Sequence, residues 1–207
     1  MYKGFYRVHP GAGGATRLAG VALSSLVHPI KIKTLEMQKS LDAESAFRAL
    51  GLRSAKAEDE SFLRDLFAST RAPELALMGC DEHQKEAFIT MQFNAQRRQY
   101  DMSYPHANHS IVLWNEAPIG RLLVDKGDRE FTLVDVALLA DYRNIGIGTH
   151  LMQNLLKEAA TAREPVRLHV LATGAAMRLY ERLGFSRIGG DSVYLEMIWV
   201  PPVSPSC

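Results

Sequence analysis

The chain has 207 residues, 24 Lys and Arg against 23 Asp and Glu, and 47% apolar residues, the make-up of one soluble globular domain with a full core and an extension. Its two cysteines, Cys80 and Cys207, make neither a disulfide framework nor a metal-binding spacing, so a reduced, cytoplasmic setting is the default expectation. The first 35 residues hold five basic residues (Lys3, Arg7, Arg17, Lys31, Lys33) and no acid, so the remainder carries a net −4 and no Lys/Arg cluster of the kind that binds nucleic acid.

Taken in chain order, residues 1–45 read as a basic leader. Its apolar run Leu18 to Val27 is too short to span a bilayer and lacks a clear small-residue cleavage site. Gly11 to Ala15 and Pro29 are poor helix material, which favours a disordered extension, or one that precedes a functional start at Met37, over a transit peptide. The folded domain is expected over residues 50–200, with a tail at 201–207 after Pro201-Pro202.

Gly51 to Ala55 reads as a short first strand. Asp59 to Thr70 reads as a helix with Phe62, Leu63, Leu66 and Phe67 inward, and Cys80-Asp81-Glu82 opens a second helix to about Tyr100 with Ala87, Phe88, Met91 and Ala95 inward. Ser110 to Trp114 and Ile119 to Asp125 are strands joined by the turn Asn115 to Pro118, and Phe131 to Leu139 is a buried strand. An amphipathic helix follows, striped by Leu151, Met152, Leu155, Leu156, Ala159 and Ala160. Val166 to Leu171 is the next strand, and a short helix carries Ala176, Leu179, Tyr180 and Leu183 on one face. Gly184 suits the left-handed residue that ends that helix. A closing hairpin, Phe185 to Ile188 and Val193 to Trp199, turns at Gly189-Gly190-Asp191, with Val193, Leu195, Met197 and Trp199 inward.

The stretch Arg143-Asn144-Ile145-Gly146-Ile147-Gly148-Thr149, between the Phe131 strand and the Leu151 helix, has the parts of a phosphate cradle. Glycines let the backbone approach a ligand, and the first free amides of a helix point at it with the helix dipole behind them. Arg143 adds a bidentate donor. No lysine follows Gly148, which excludes a Walker loop, and Leu151 stands where a dinucleotide fingerprint needs its third glycine. What remains is Arg-x-x-Gly-x-Gly, or a plain glycine-rich turn.

About thirty residues on, Leu179-Tyr180 and Gly184-Phe185 complete a second block, Leu-Tyr-x-x-x-Gly-Phe. Together and in this order the two blocks resemble the GCN5-related N-acetyltransferase (GNAT) family, and Leu52 to Trp199 fits that domain. The resemblance implies an α/β (α+β) fold with a mixed, mostly antiparallel central sheet flanked by helices. It implies acetyl-CoA as co-substrate and no metal. Arg143, Asn144, Ile145, Gly146, Ile147, Gly148 and Thr149 would bind the coenzyme diphosphate. Backbone groups of Val136, Ala137 and Leu138 would hold the pantetheine arm and polarise the thioester. The family often has an asparagine shortly before the alanine that matches Ala176; this chain has Thr173-Gly174-Ala175 there.

Acetyl transfer to an amine needs a deprotonated nucleophile, a donor for the carbonyl oxygen and a proton for the leaving thiolate. Tyr180 matches the family's tyrosine, the proton donor to sulfur; the alternative is a core tyrosine with a satisfied hydroxyl. Asp135 is a charge inside an apolar strand, which requires a partner or a function; it is read as general base or substrate anchor, against a structural hydrogen bond. His169 on the next strand is a second base candidate, and Glu130 reads as a solvated residue at a strand mouth. Polar residues Gln92, Arg97, Arg98 and Tyr100 on the second helix are candidates to face substrate. His106 and His109 have half the spacing of a metal site but no partners at useful distance.

The expected function is an N-acetyltransferase acting on a small-molecule or peptide primary amine by direct attack in a ternary complex, without nucleic acid or membrane, as monomer or homodimer. The alternative is a domain that binds acyl-CoA without turnover.

Overall fold

The computed structural model describes residues 47–77, 79 and 81–202; the leader expected over residues 1–45, the start at Met37 and the end of the tail lie outside the described residues. Leu50–Ser54 forms β1, which pairs antiparallel with β2, Asn108–Trp114. β3, Ala117–Lys126, follows through Asn115 and Glu116, whose φ angles are 46° and 66°. Two consecutive positive values make the primed turn that matches strand twist, tighter than the four-residue turn expected. β4 (Phe131–Leu138), β5 (Val166–Leu171), β6 (Ser186–Gly190) and β7 (Tyr194–Trp199) complete a seven-stranded sheet in the order β1-β2-β3-β4-β5-β7-β6. Every pair is antiparallel except β4–β5, so the mixed, mostly antiparallel sheet expected from the sequence is the one observed.

Among the described residues four α-helices cover this sheet: α1 (Glu60–Leu77), α2 (Glu82–Ser103), α3 (Ile147–Ala162) and α4 (Ala175–Arg182). α3 and α4 pack on one face. There Leu151, Met152, Leu155 and Tyr180 meet Val112, Leu122, Phe131, Leu133, Val166 and Leu168 of the strands, in the largest cluster of buried residues. α1 and α2 pack on the other face of the N-terminal half, where Leu63, Phe67, Ile89 and Phe93 close over Ile111. Each such buried aliphatic or aromatic side chain contributes about 1.5–3 kcal/mol relative to exposure. In the closing hairpin Leu195 and Met197 are buried as expected, whereas Val193 is exposed.

Both N-terminal helices differ from the sequence reading. α1 runs past Thr70 and through Pro73 to Leu77, because Leu75 still packs against the cluster under it. α2 starts at Glu82, since Asp81 is its cap: the Asp81 carboxylate accepts from the Gln84 N–H at 2.8 Å and the Gln84 side chain accepts from the Asp81 N–H at 3.2 Å. Its buried stripe is Ile89, Phe93 and Tyr100, while Ala87, Met91 and Ala95 face solvent. Both stripes have helical spacing, and the bulkier one won the core.

A bulge in the β3–β4 ladder positions the site. Leu123 pairs with Asp135 and Val124 with Leu133, which leaves Val134 as the extra residue. An extra residue reverses the side-chain alternation beyond it and bends the strand. Val134 and Asp135 therefore both lie on the α1–α2 face, Val134 against Tyr100 and Leu123, and Asp135 against Arg121.

Candidate active site

β4 and β5 pair only at Phe131–Val166, Thr132–Arg167 and Leu133–Leu168. Beyond Leu133, β4 continues along β3 to Leu138 while β5 continues along β7 to Leu171. The parting begins where the Val134 bulge bends β4. It opens a small cleft in contact with solvent, lined among others by Leu133, Asp135, Val136, His169, Val170 and Tyr180.

The Arg143–Thr149 turn lies past the C-terminal end of β4. Asn144 has φ 61° and Gly146 has φ 94°, two left-handed residues in the turn ahead of α3, while Arg143 before them is extended. Left-handed residues in a turn can aim successive amides toward one point. The helix begins at Ile147, earlier than expected, which places Gly148 and Thr149 in its first turn, and the His150 N–H is the first to find a carbonyl, that of Gly146 at 3.0 Å. Among the described residues, the amides of Asn144 to Thr149 have no hydrogen-bond acceptor. A Cβ on Gly148 would meet only Leu179 Cδ2, at 4.0 Å, so packing does not require that glycine.

Arg143 does something the sequence did not show. Its Nε donates to the Leu138 carbonyl at 2.7 Å, tying the turn to the last residue of β4. Its Nη2 is buried without a partner among the described residues, and burial lowers its pKa from the usual value.

Tyr180 is buried on α4, edge-on to Phe185 at 5.5 Å between ring centres. Burial first, and the charge of Asp135 second, raise its pKa above that of an ordinary phenol, so it holds its proton. Asp135 is buried and ion-paired with Arg121. Arg121 in turn donates from Nη2 to Gln96 Oε1 at 2.9 Å and lies over the Tyr100 ring, 5.6 Å from its centre. His109 borders this group, its Nε2 buried without a partner among the described residues, and desolvation followed by the Arg121 charge lowers its pKa.

The structure thus brings Asp135, Val136, His169 and Tyr180 to one cleft, with Ala137, Leu138 and the Arg143–Thr149 turn following along β4. The other polar candidates are elsewhere or otherwise engaged. Arg97 is exposed and bonds Glu60 at 2.7 Å, and Arg98 is exposed. Glu130 accepts from Arg167 at 3.0 Å. Gln96 and Arg121 escaped the sequence reading. Arg121, a charge in the apolar run Ile119 to Val124, carried the same signal that singled out Asp135. Among the described residues no three His, Cys, Asp or Glu side chains gather as a metal site, and no helix is long and apolar enough to cross a membrane.

Solved structures share this architecture. The PaiA N-acetyltransferase from Thermoplasma acidophilum in complex with coenzyme A superposes with a TM-score of 0.57 at 16% identity, over 73% of this chain and 98% of that one. An acetyltransferase from Thermus thermophilus gives 0.55 at 16% identity, over 73% and 97%. The ribosomal-protein-S18-alanine N-acetyltransferase from Escherichia coli gives 0.51 at 17% identity, over 76% and 96%. At these identities the likeness is one of fold. No curated protein sequence matches the chain. Residues 71–185, more than half of the chain and inclusive of the turn and Tyr180, match the acetyltransferase (GNAT) family, and the chain belongs to that family.

Proposed function

We propose that the protein transfers the acetyl group of acetyl-CoA to a primary amine by direct attack in a ternary complex. The observation that carries this reading is the β4–β5 cleft, with unbonded amides at the end of β4 and a protonated phenol in its wall. The amides of Asn144 to Thr149 and the Arg143 Nη2 supply donors for the diphosphate, in a turn at a helix N-terminus. The pantetheine arm then follows Val136 to Leu138, where β4 has lost its β5 partner. This route delivers the thioester to the cleft beside Tyr180.

In the reaction the amine nitrogen forms a bond to the thioester carbon, the carbon–sulfur bond breaks, and Tyr180 gives its proton to the departing thiolate. A phenol of raised pKa is suited to this role because it is fully protonated at neutral pH. Asp135 is already held by Arg121 through Oδ2. We assign it the holding of the incoming amine through its other oxygen, and assign the amine proton to His169, which lines the same cleft from β5.

A second reading, a domain that holds acyl-CoA without turnover, draws on Gly174, which stands at the N-cap of α4 and offers the coenzyme no side chain. Calorimetric titration with CoA, followed by thiol release from acetyl-CoA across a panel of primary amines, separates the two. Binding with CoASH release and matching amine acetylation supports the transferase; binding without release for any amine supports the second reading, and no binding removes both.

A further inference from the structure

The short segment ahead of β1 folds back onto the coenzyme turn. The Leu50 N–H donates to the Phe47 carbonyl at 2.9 Å, and the Asn115 N–H donates to the Ala49 carbonyl at 2.9 Å, which pins the segment to the β2–β3 hairpin. Phe47 then reaches α3. Its ring stacks on His150, with 4.5 Å between centroids and 27° between planes, and its edge meets Trp114 at 6.5 Å and 83°. The tip of the same ring faces Gly146: a Cβ there would lie 3.3 Å from Phe47 Cζ.

One ring therefore touches both ends of a single helical turn, the left-handed Gly146 that opens it and His150 that first bonds back to Gly146. A glycine at positive φ has wide conformational freedom, and the amides that follow it aim at a ligand only while that φ is held. The amides from Asn144 to Thr149 do not supply the restraint, being unbonded among the described residues, and the Arg143–Leu138 bond holds only the start of the turn. We propose that Phe47 is a positioning residue for the coenzyme: its ring, wedged between Trp114 and His150, holds Gly146 and the first turn of α3 in the diphosphate-binding conformation. The inference rests on the assignment of this turn to the coenzyme. Phe47 precedes the span 71–185 that matches the family, so coenzyme affinity here depends on a residue outside it. The ring does not line the β4–β5 cleft, so its action is on binding and not on the reacting atoms.

The test compares CoA with pantetheine, which lacks the diphosphate, using calorimetry for the first and NMR titration for the second. The proteins are wild type, Phe47→Leu, Phe47→Ala and, as a control, Leu52→Ala on the exposed side of β1. If about one molecule in five keeps the turn without the ring, apparent Kd for CoA rises about fivefold. Phe47→Leu, which keeps apolar contact with Trp114, is expected to show this rise at an unchanged circular dichroism spectrum. Pantetheine affinity stays at the wild-type value, and Leu52→Ala binds CoA normally. Should Phe47→Ala fail to fold, Phe47→Leu decides. An unchanged Kd for CoA in folded Phe47→Leu, an equal loss for pantetheine, or the same loss in Leu52→Ala would overturn the proposal. Wild-type protein that does not bind CoA would instead overturn the functional reading beneath it.

Discussion

Tyr180 and Asp135 line one cleft, and the carboxylate is near enough to raise the phenol's pKa beyond what burial achieves. Tyr180→Phe keeps the ring against Phe185 and removes only the hydroxyl. It is expected to lower kcat about tenfold or more while leaving Kd for acetyl-CoA near the wild-type value. Because the phenol's pKa is raised, Tyr180 stays protonated through pH 10, and no alkaline loss of rate below that pH belongs to it. Steady-state rates from pH 7 to 10 on both proteins check this; a loss of rate in that range present in wild type and missing in Tyr180→Phe would contradict it.

Arg121 and Asp135 are buried together, so removing one strands the other. Arg121→Met is expected to destabilise the fold by about 3–5 kcal/mol, the range for an uncompensated buried charge. The double variant Arg121→Met/Asp135→Leu should recover most of that loss, since no charge is left behind. Urea unfolding of the single and double variants measures the difference.

Gly120 pairs with Leu138 at one end of the β3–β4 ladder. A Cβ there would lie 2.4 Å from the Ala137 carbonyl oxygen and 2.6 Å from Leu138 Cδ2. Gly120→Ala is expected to cost about 1–3 kcal/mol of stability. It should also weaken acetyl-CoA binding, because it displaces the β4 backbone assigned to the pantetheine arm. Thermal melting with and without coenzyme reads both effects: the upward shift of Tm given by the ligand should shrink in the variant.

Asp59 is gripped by both guanidinium nitrogens of Arg53, at 2.6 and 2.7 Å, and accepts the Lys56 N–H at 2.8 Å. The Arg53 bond is the main reason its carboxyl is held down to about 2. A depressed folded-state pKa means that the unfolded chain binds the proton more readily. The stabilisation is thus complete above pH of about 4 and is lost as pH falls from there toward 2. Arg53→Gln should move acid unfolding to higher pH with little change in stability at pH 7 beyond the lost ion pair, as followed by circular dichroism during acid titration.

The sheet and the glycine turn after β4 were legible because their signals are local. Val166 to Leu171 alternates and forms a strand with those bounds, and Gly184 takes the left-handed φ that its place after a helix suggests. Tyr180 was legible through its spacing from Gly184 and Phe185. What escaped was non-local. The partner of Asp135 is Arg121, one strand away, and a bulge at Val134 sets which face both share. The stripe of α2 was misread because two apolar series of helical period overlap there, and only the shape of the sheet beneath selects Ile89 and Phe93. Phe47 lies in a segment with no periodic pattern, and its contact with His150 joins residues a hundred positions apart in the sequence.

The central claim is that the Asn144–Thr149 amides hold the diphosphate and the β4–β5 cleft holds the thioester beside Tyr180. A crystal structure with CoA tests it most directly. The account predicts diphosphate oxygens within hydrogen-bonding distance of those amides and the coenzyme sulfur in the cleft facing the Tyr180 hydroxyl. A coenzyme bound elsewhere, with the turn vacant or the sulfur outside the cleft, would contradict it.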